Sequence, residues 1–189
     1  MKKQLLSIII LCFPLILQAQ FYDANWVSGS RYGNITYANN LISYNSLPYI
    51  ISSFNGKVGI NSGNITFSDK KGALLFYSNG FSIVNKELNL MENGDSLSWS
   101  GLAQFSYSNG SGCFICLIGL PDSNSDSTIY LIREYMDTSS FFGLTFPKVL
   151  YSIIDSKKNN GLGQVSSKNN LLWTGVSIQE LSACQHGIS

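Results

Sequence analysis

Cys113 and Cys116 form the pair of side chains whose types and spacing first suggest chemistry. A Cys-x-x-Cys pair serves redox exchange when it opens a helix beside a βαβ unit, and it binds zinc when a second ligand pair follows at suitable spacing. The sequence offers neither context, because Phe114, Ile115 and Leu117 make the segment an apolar, strand-like run. Residues three apart on a strand point to opposite faces, so we expect two buried core cysteines.

Asp122, Asn124 and Asp126 alternate along the chain as oxygen ligands do at the start of a calcium-binding loop. That loop requires glycine at its sixth position and glutamate at its twelfth, where this chain has Ser127 and Arg133. A polar turn between two strands accounts for the same residues. The sequence therefore predicts a hairpin turn and no metal site at this position.

His186 is the single histidine, and no nucleophile elbow, zinc-binding helix motif or phosphate-binding glycine loop accompanies it. We expect a structural hydrogen-bonding role for its side chain.

Gly161 and Gly163 follow a strand-like run without opening a helix, which indicates a turn and not a nucleotide site. With Cys184, three cysteines follow residue 19, and an odd number allows at most one disulfide with a thiol left over. No catalytic, cofactor-binding or metal-binding residue is predicted.

Residues 1–19 have the order of a secretory signal peptide, with Lys2 and Lys3 before a short apolar run and Ala19 after it. Cleavage after Ala19, or one residue later, leaves ten basic and eleven acidic side chains, a net charge of −1. We therefore expect an exported protein, secreted or on the outer cell surface, with no membrane span after signal removal. Its charge predicts no attraction to nucleic acid.

The rest of the chain has the composition of an extracellular all-β protein, with only 12% charged residues and 13% aromatic ones. Residues 68–85 predict an antiparallel meander. A polar turn at 69–72 leads into an apolar strand at 73–77, and Asn79-Gly80 forms a second turn before a strand at 81–84. Both Asn79 and Gly80 tolerate the positive φ that such a turn requires.

This meander resembles the opening blade of a family of secreted β-propeller proteins found in bacteria with type IX secretion. The family pattern reads approximately SISD-x-x-G-x-LLFYTNG-x-x-x-x-N, followed by M-x-N-G. The matching positions are residues 65–69, Gly72, residues 74–80, Asn85 and residues 91–94. The resemblance implies that the strands at 65–85 belong to one propeller blade.

Further segments resemble the same family. Residues 151–172 resemble YSVVDM-x-x-NGGLGDV-x-x-KN-x-LL, with Asn160 in place of a glycine and Gln164 in place of an aspartate. Residues 181–186 resemble the family's LTACRH at the first strand of a later blade, and residues 26–37 resemble its first strand. The resemblance covers nearly all of the chain after residue 19.

The resemblance implies an all-β fold, a partial β-propeller of about two antiparallel four-stranded blades plus the start of a third. The expected parts are the signal peptide at 1–19 and the amino-terminal part of a propeller at 20–189, with blade 1 at about 62–107, blade 2 at about 113–175 and the start of blade 3 at about 178–189. Blade 2 would have strands at 113–120, 128–135 and 149–155, then a glycine-rich loop and an outer strand. We expect downstream blades of the same parent protein to follow.

The expected function is that of an exported, non-enzymatic propeller scaffold of a cell-surface or secreted protein, without a cofactor, which binds a protein or glycan ligand through its loops. The alternative is a fragment of a propeller enzyme, of glycosidase or quinone-dependent dehydrogenase type, whose active site lies in missing blades. Asp95-Ser96-Leu97 and Asp126-Ser127-Thr128 resemble the O-glycosylation acceptors of such bacteria, although plain turns account for them as well.

Overall fold

The computed structural model describes residues 22–32, 36–60, 63–97, 117–135 and 148–175, and these form three antiparallel sheets. Sheet 1 contains β1 (Asn25–Tyr32), β2 (Thr36–Ser43) and β3 (Ile50–Asn55). Sheet 2 contains β4 (Ile65–Ser68), β5 (Leu74–Ser78) and β6 (Ile83–Asn85). Sheet 3 has the order β10-β9-β8-β7, with β7 (Leu117–Pro121), β8 (Thr128–Tyr135), β9 (Lys148–Asp155) and β10 (Gln164–Thr174). The prediction of an all-β fold is confirmed.

Sheet 2 lies between the other two sheets. Successive side chains of its strands therefore point into two different cores. Phe76 and Ile83 pack with residues of sheet 3, while Tyr77 and Val84 pack with residues of sheet 1. All four are completely buried. A strand covered on both faces loses the apolar-polar alternation of a half-exposed strand, which explains the continuous apolar run at 74–77.

Sheet 3 packs on sheet 2 through Ile129, Leu131 and Ile154, which join the same core as Phe67 and Phe76. The first strands of the two sheets, β4 and β7, make the closest approach. A Cβ atom at Gly119 of β7 would lie 2.7 Å from the Phe67 ring. Glycine at this position is therefore required for the spacing of the two sheets.

The opposite face of sheet 3 carries apolar side chains as well, together with Glu134. Cross-strand pairs place Ile118 beside Ile132, and Ile132 in turn beside Tyr151. Tyr130 pairs with Ile153 in the next row. These side chains are partly buried. Sheet 3 therefore presents apolar side chains on both of its faces.

Several predicted strands are confirmed. The strand at 128–135 is β8, the strand at 149–155 lies within β9, and the strand at 73–77 overlaps β5. The glycine-rich segment between β9 and β10 is a turn, as predicted, with one short helical turn, α1 (Lys158–Gly161). Asn159 and Asn160 have left-handed φ values of 49° and 56° inside it.

The prediction for the turn between β5 and β6 is wrong in one detail. Gly80 has a positive φ of 85°, but Asn79 does not. The Asn79 side chain shapes the turn instead, since its Oδ1 accepts hydrogen bonds from the N–H groups of Phe81 and Ser82, both at 3.0 Å. Its Nδ2 donates to the Gly59 carbonyl at 3.0 Å. This buried side chain is thus a hydrogen-bonded link to the segment that follows sheet 1.

Some predictions fall outside the described residues. These are the signal peptide at 1–19, the cysteines Cys113, Cys116 and Cys184, the lone His186, and the expected blade segments at 98–107 and 178–189. Across the described ranges, no helix is long and apolar enough to cross a membrane.

Candidate functional site

Turns at one end of sheets 2 and 3 surround a cleft with a volume of about 310 Å³. The turn between β4 and β5, the end of β6, the turn between β7 and β8, and the segment after β9 all contribute to it. Four of the positions weighed from the sequence line this cleft, namely Asp69, Asp126, Ser127 and Gly161. The fold therefore brings together residues that are far apart in the chain.

The floor of the cleft is apolar and aromatic. The Tyr22 and Phe67 rings stack with their centroids 5.1 Å apart, and Phe67 stacks in turn on Phe76 at 5.4 Å. Leu75, Pro121 and Ile129 complete the apolar lining. Because Phe67 and Ile129 also belong to the core between sheets 2 and 3, the floor is fixed by the packing of the two sheets.

The rim of the cleft carries an ion pair that joins the two sheets. Lys70 Nζ lies 2.8 Å from Asp126 Oδ1, and both side chains are well exposed. The hydrogen bond with Asp126 raises the pKa of Lys70, and the same bond with Lys70 lowers the pKa of Asp126, helped by the nearby charge of Lys157. Exposed ion pairs add little to protein stability. The main effect of the Lys70–Asp126 pair is therefore on the charge of the rim.

Two further lysines make the rim net positive. Lys86 and Lys157 line the cleft, and the Lys86 ammonium lies 3.6 Å from the place that a Cβ atom on Gly161 would occupy. The cleft thus has three lysines against Asp69 and Asp126. Neither Lys86 nor Lys157 has an ion-pair partner among the described residues. Two cations are available to an incoming anionic group.

The acidic side chains of these turns already have partners. Asp69 Oδ1 accepts the N–H groups of Lys71 at 2.8 Å and Ala73 at 2.9 Å, which fixes the turn between β4 and β5. Asp155 Oδ1 accepts the Lys157 N–H at 3.0 Å. Asp69 and Asp155 thus stabilise their own turns, and Asp126 forms the ion pair with Lys70.

The Asp122 segment is a polar hairpin turn, as predicted. Asp122 Oδ1 accepts the Asn124 N–H at 2.9 Å, and the Asp122 N–H donates to the Thr128 carbonyl at 2.9 Å. Ser125 Oγ and Thr128 Oγ1 lie 2.8 Å apart within the same turn. In the ranges that the structure describes, no three His, Cys, Asp or Glu side chains lie together as metal ligands would.

Ser156 ties the two neighbouring turns of sheet 3 to one another. Ser156 donates to the Ser127 carbonyl twice, through its N–H at 2.8 Å and its Oγ at 3.1 Å. Ser127 lies in one of the two segments that resemble O-glycosylation acceptors, and it is half-buried in the cleft wall. These bonds hold the two turns of sheet 3 in a fixed relation, so the wall of the cleft is preorganised.

The segments that carry the family resemblance contact each other across the sheets. The Val165 N–H donates to the Glu92 carbonyl at 2.9 Å, and Gln164 Nε2 donates to Glu92 Oε1 at 2.8 Å. Asn93 Nδ2 donates to the Val165 carbonyl at 2.8 Å. The loop at 91–95 and the start of β10 therefore dock on each other although more than seventy residues separate them.

Lys168 adds to this docking, and Asn169 bonds a buried arginine of sheet 3. Lys168 Nζ donates to the Asp95 carbonyl at 3.0 Å and to its Oδ1 at 3.2 Å, and the hydrogen bond lowers the pKa of Asp95. Asn169 Oδ1 accepts from Arg133 Nη2 at 2.6 Å. Arg133 is completely buried, and burial lowers its pKa to about 10, so it stays charged at neutral pH.

Sequence reasoning missed the groups that give the cleft its charge. Lys70, Lys86 and Lys157 belong to no motif, and lysines on a strand-rich surface normally indicate only a solvated face. Their convergence depends on the stacking of sheets 2 and 3.

No protein-family model matches this chain, and neither a curated protein nor a solved structure does so.

Proposed function

We propose that this chain is an exported, non-enzymatic scaffold of β-propeller type, part of a cell-surface or secreted protein, which binds its partner at the cleft between sheets 2 and 3. Two antiparallel meanders stacked face to face, with β4 against β7, are the arrangement expected of consecutive blades. The apolar outer face of sheet 3 fits a position beside a further blade. The signal peptide predicted for residues 1–19 supports the secreted location.

The observation that carries the proposal is the composition of the cleft. An aromatic floor of stacked Tyr22 and Phe67 supplies apolar contact area, while Lys86 and Lys157 supply charge at the rim. Sites with an apolar lining and a few polar groups around it are typical of ligand binding. We infer a protein or glycan ligand that carries an acidic group.

A binding role fits the acidic side chains better than hydrolysis does. A glycosidase needs two carboxylates placed to act as acid and as base or nucleophile on one bond. Asp69 and Asp155 accept backbone N–H groups of their own turns, and Asp126 pairs with Lys70. These contacts favour a structural role for each carboxylate.

The test is binding of the mature protein to an array of acidic and neutral glycans and to a library of acidic peptides. The double variant Lys86→Glu/Lys157→Glu reverses two rim charges and should weaken capture of acidic ligands at least tenfold. Lys57→Glu is the matched control, since this exposed lysine does not line the cleft, and it should bind as the parent does. Equal losses in both variants, or no capture of any acidic ligand, would contradict the proposal.

A further inference from the structure

The face of sheet 1 that points away from sheet 2 carries a row of large apolar side chains. Trp26, Ile42 and Ile51 are cross-strand partners, one from each strand. Their neighbours Val27 and Leu41 point the other way, into the core shared with sheet 2. Alternation along the strands therefore places this row on the outer surface.

Aromatic rings in mutual contact extend the row. The Trp26 and Tyr44 rings meet edge to face at 5.6 Å, and Tyr44 lies 5.8 Å from Tyr49. Trp26 is 56% exposed and Tyr49 is 54% exposed, although aromatic residues normally bury most of their surface. Contiguous exposed apolar groups mark a binding surface more often than scattered ones do. We call Trp26, Tyr44, Tyr49, Ile42 and Ile51 the aromatic platform.

Hydrogen-bonding groups lie beside the platform. Ser28, Asn40 and Ser53 form the next cross-strand row on the same face. Ser53 Oγ donates to Asn40 Oδ1 at 2.8 Å, and the Asn40 amide N–H groups have no partner among the described residues. A groove of about 380 Å³ runs along the platform between Trp26 and Thr66 of β4.

The platform lacks charge. Residues 38–56 contain no acidic or basic side chain, and residues 24–30 contain none either. Surfaces that bind membranes combine apolar side chains with lysine or arginine for anionic headgroups, and protein-binding hot spots are enriched in arginine beside tryptophan and tyrosine. Neither lysine nor arginine is present in these two segments. Exposed aromatic faces with neutral amides and hydroxyls match the C–H faces and hydroxyl groups of a sugar.

We propose that the aromatic platform binds a neutral polysaccharide. Pyranose rings stack on Trp26, Tyr44 and Tyr49, and their hydroxyl groups bond to Asn40 and Ser28 along the groove. This site lies on sheet 1, whereas the cleft lies between sheets 2 and 3. The proposal is therefore independent of the ligand proposed for the cleft, and it requires that no further blade covers sheet 1.

The experiment is affinity electrophoresis of the full chain in gels that contain hydroxyethyl cellulose, xyloglucan, soluble starch or a mixed-linkage glucan, with alginate as the acidic comparison. At least one neutral polymer should retard the parent. Trp26→Ala and Tyr49→Ala should each weaken that retardation at least tenfold, while Tyr44→Phe, which keeps the ring, should retain it. Leu171→Ala, a change at an equally exposed apolar residue of β10, should have no effect.

Further arms keep the test decisive. Melting temperatures should agree within about 2 °C for all variants, because the replaced side chains are exposed, and Lys86→Glu should leave polysaccharide binding unchanged. The proposal is overturned when no neutral polymer retards the chain or when Trp26→Ala binds as the parent does. Binding to phosphatidylglycerol vesicles, or a dimer in light scattering, that is lost in Trp26→Ala would assign the platform to a membrane or a second copy instead.

Discussion

A buried polar side chain defines the turn between β5 and β6. Asn79 is completely buried, and it bonds the N–H groups of Phe81 and Ser82 through one atom and the Gly59 carbonyl through the other. Removing such a side chain leaves several buried backbone groups without partners, and each of these is costly. Asparagine at this position therefore acts as a structural residue.

We expect Asn79→Ala to lower the free energy of unfolding by about 2–3 kcal/mol. For a domain of this size the loss corresponds to a fall in melting temperature of roughly 5–10 °C. Asn124→Ala is the matched control, because that residue is exposed in the turn between β7 and β8. Differential scanning calorimetry of both variants decides the matter, and equal melting temperatures would contradict the structural role.

Tyr77 gives a prediction about pH. Its side chain is completely buried, and burial raises its pKa from the ordinary value of 10.0 to about 12. The unfolded chain loses the phenolic proton near pH 10 and the folded chain near pH 12, so folding stability falls across this interval. Tyr77→Phe has no proton to lose. From pH 8 to pH 11, urea unfolding should show the parent losing about 1 kcal/mol relative to this variant. Parallel profiles would count against burial of the hydroxyl.

Individual elements differ in how well the sequence predicts them. β8 and β9 are apolar and β-branched over most of their length, and β5 is apolar and aromatic up to its last residue, so the residue pattern predicts all three. β3 was not predicted, because most of its side chains are exposed and no burial alternation reveals it. The docking of the loop at 91–95 on β10 could not be predicted either, since it depends on contacts between sheets.

Gly163 connects the turn after β9 with the loop at 91–95. Its φ is +85°, and a Cβ atom there would lie 2.7 Å from Met91 Cε. We expect Gly163→Ala to destabilise the protein by about 1–3 kcal/mol, from backbone strain and from displacement of Met91. Ser166→Ala, at an exposed position of β10, should be nearly neutral. Chemical denaturation measures both, and an unchanged midpoint for Gly163→Ala would show that the contact with Met91 is dispensable.

Stacking of the three sheets creates surfaces that no segment contains alone. The cleft requires Lys70 and Lys86 from the side of sheet 2 and Lys157 from the end of sheet 3. The candidate site was therefore beyond sequence reasoning, although the turns that form it were predicted in part. Each sequence motif lies within a single sheet, whereas the cleft forms only where sheets 2 and 3 pack together.

We propose that sheets 2 and 3 are consecutive blades of a propeller-type scaffold. A crystal structure of the protein purified from the culture medium of its host tests this most directly. We predict that the outer face of sheet 3, with Ile118, Tyr130 and Tyr151, is covered by another sheet and that β4 and β7 line a common central axis. A closed sandwich, with that face in solvent and no shared axis, would rule out a propeller.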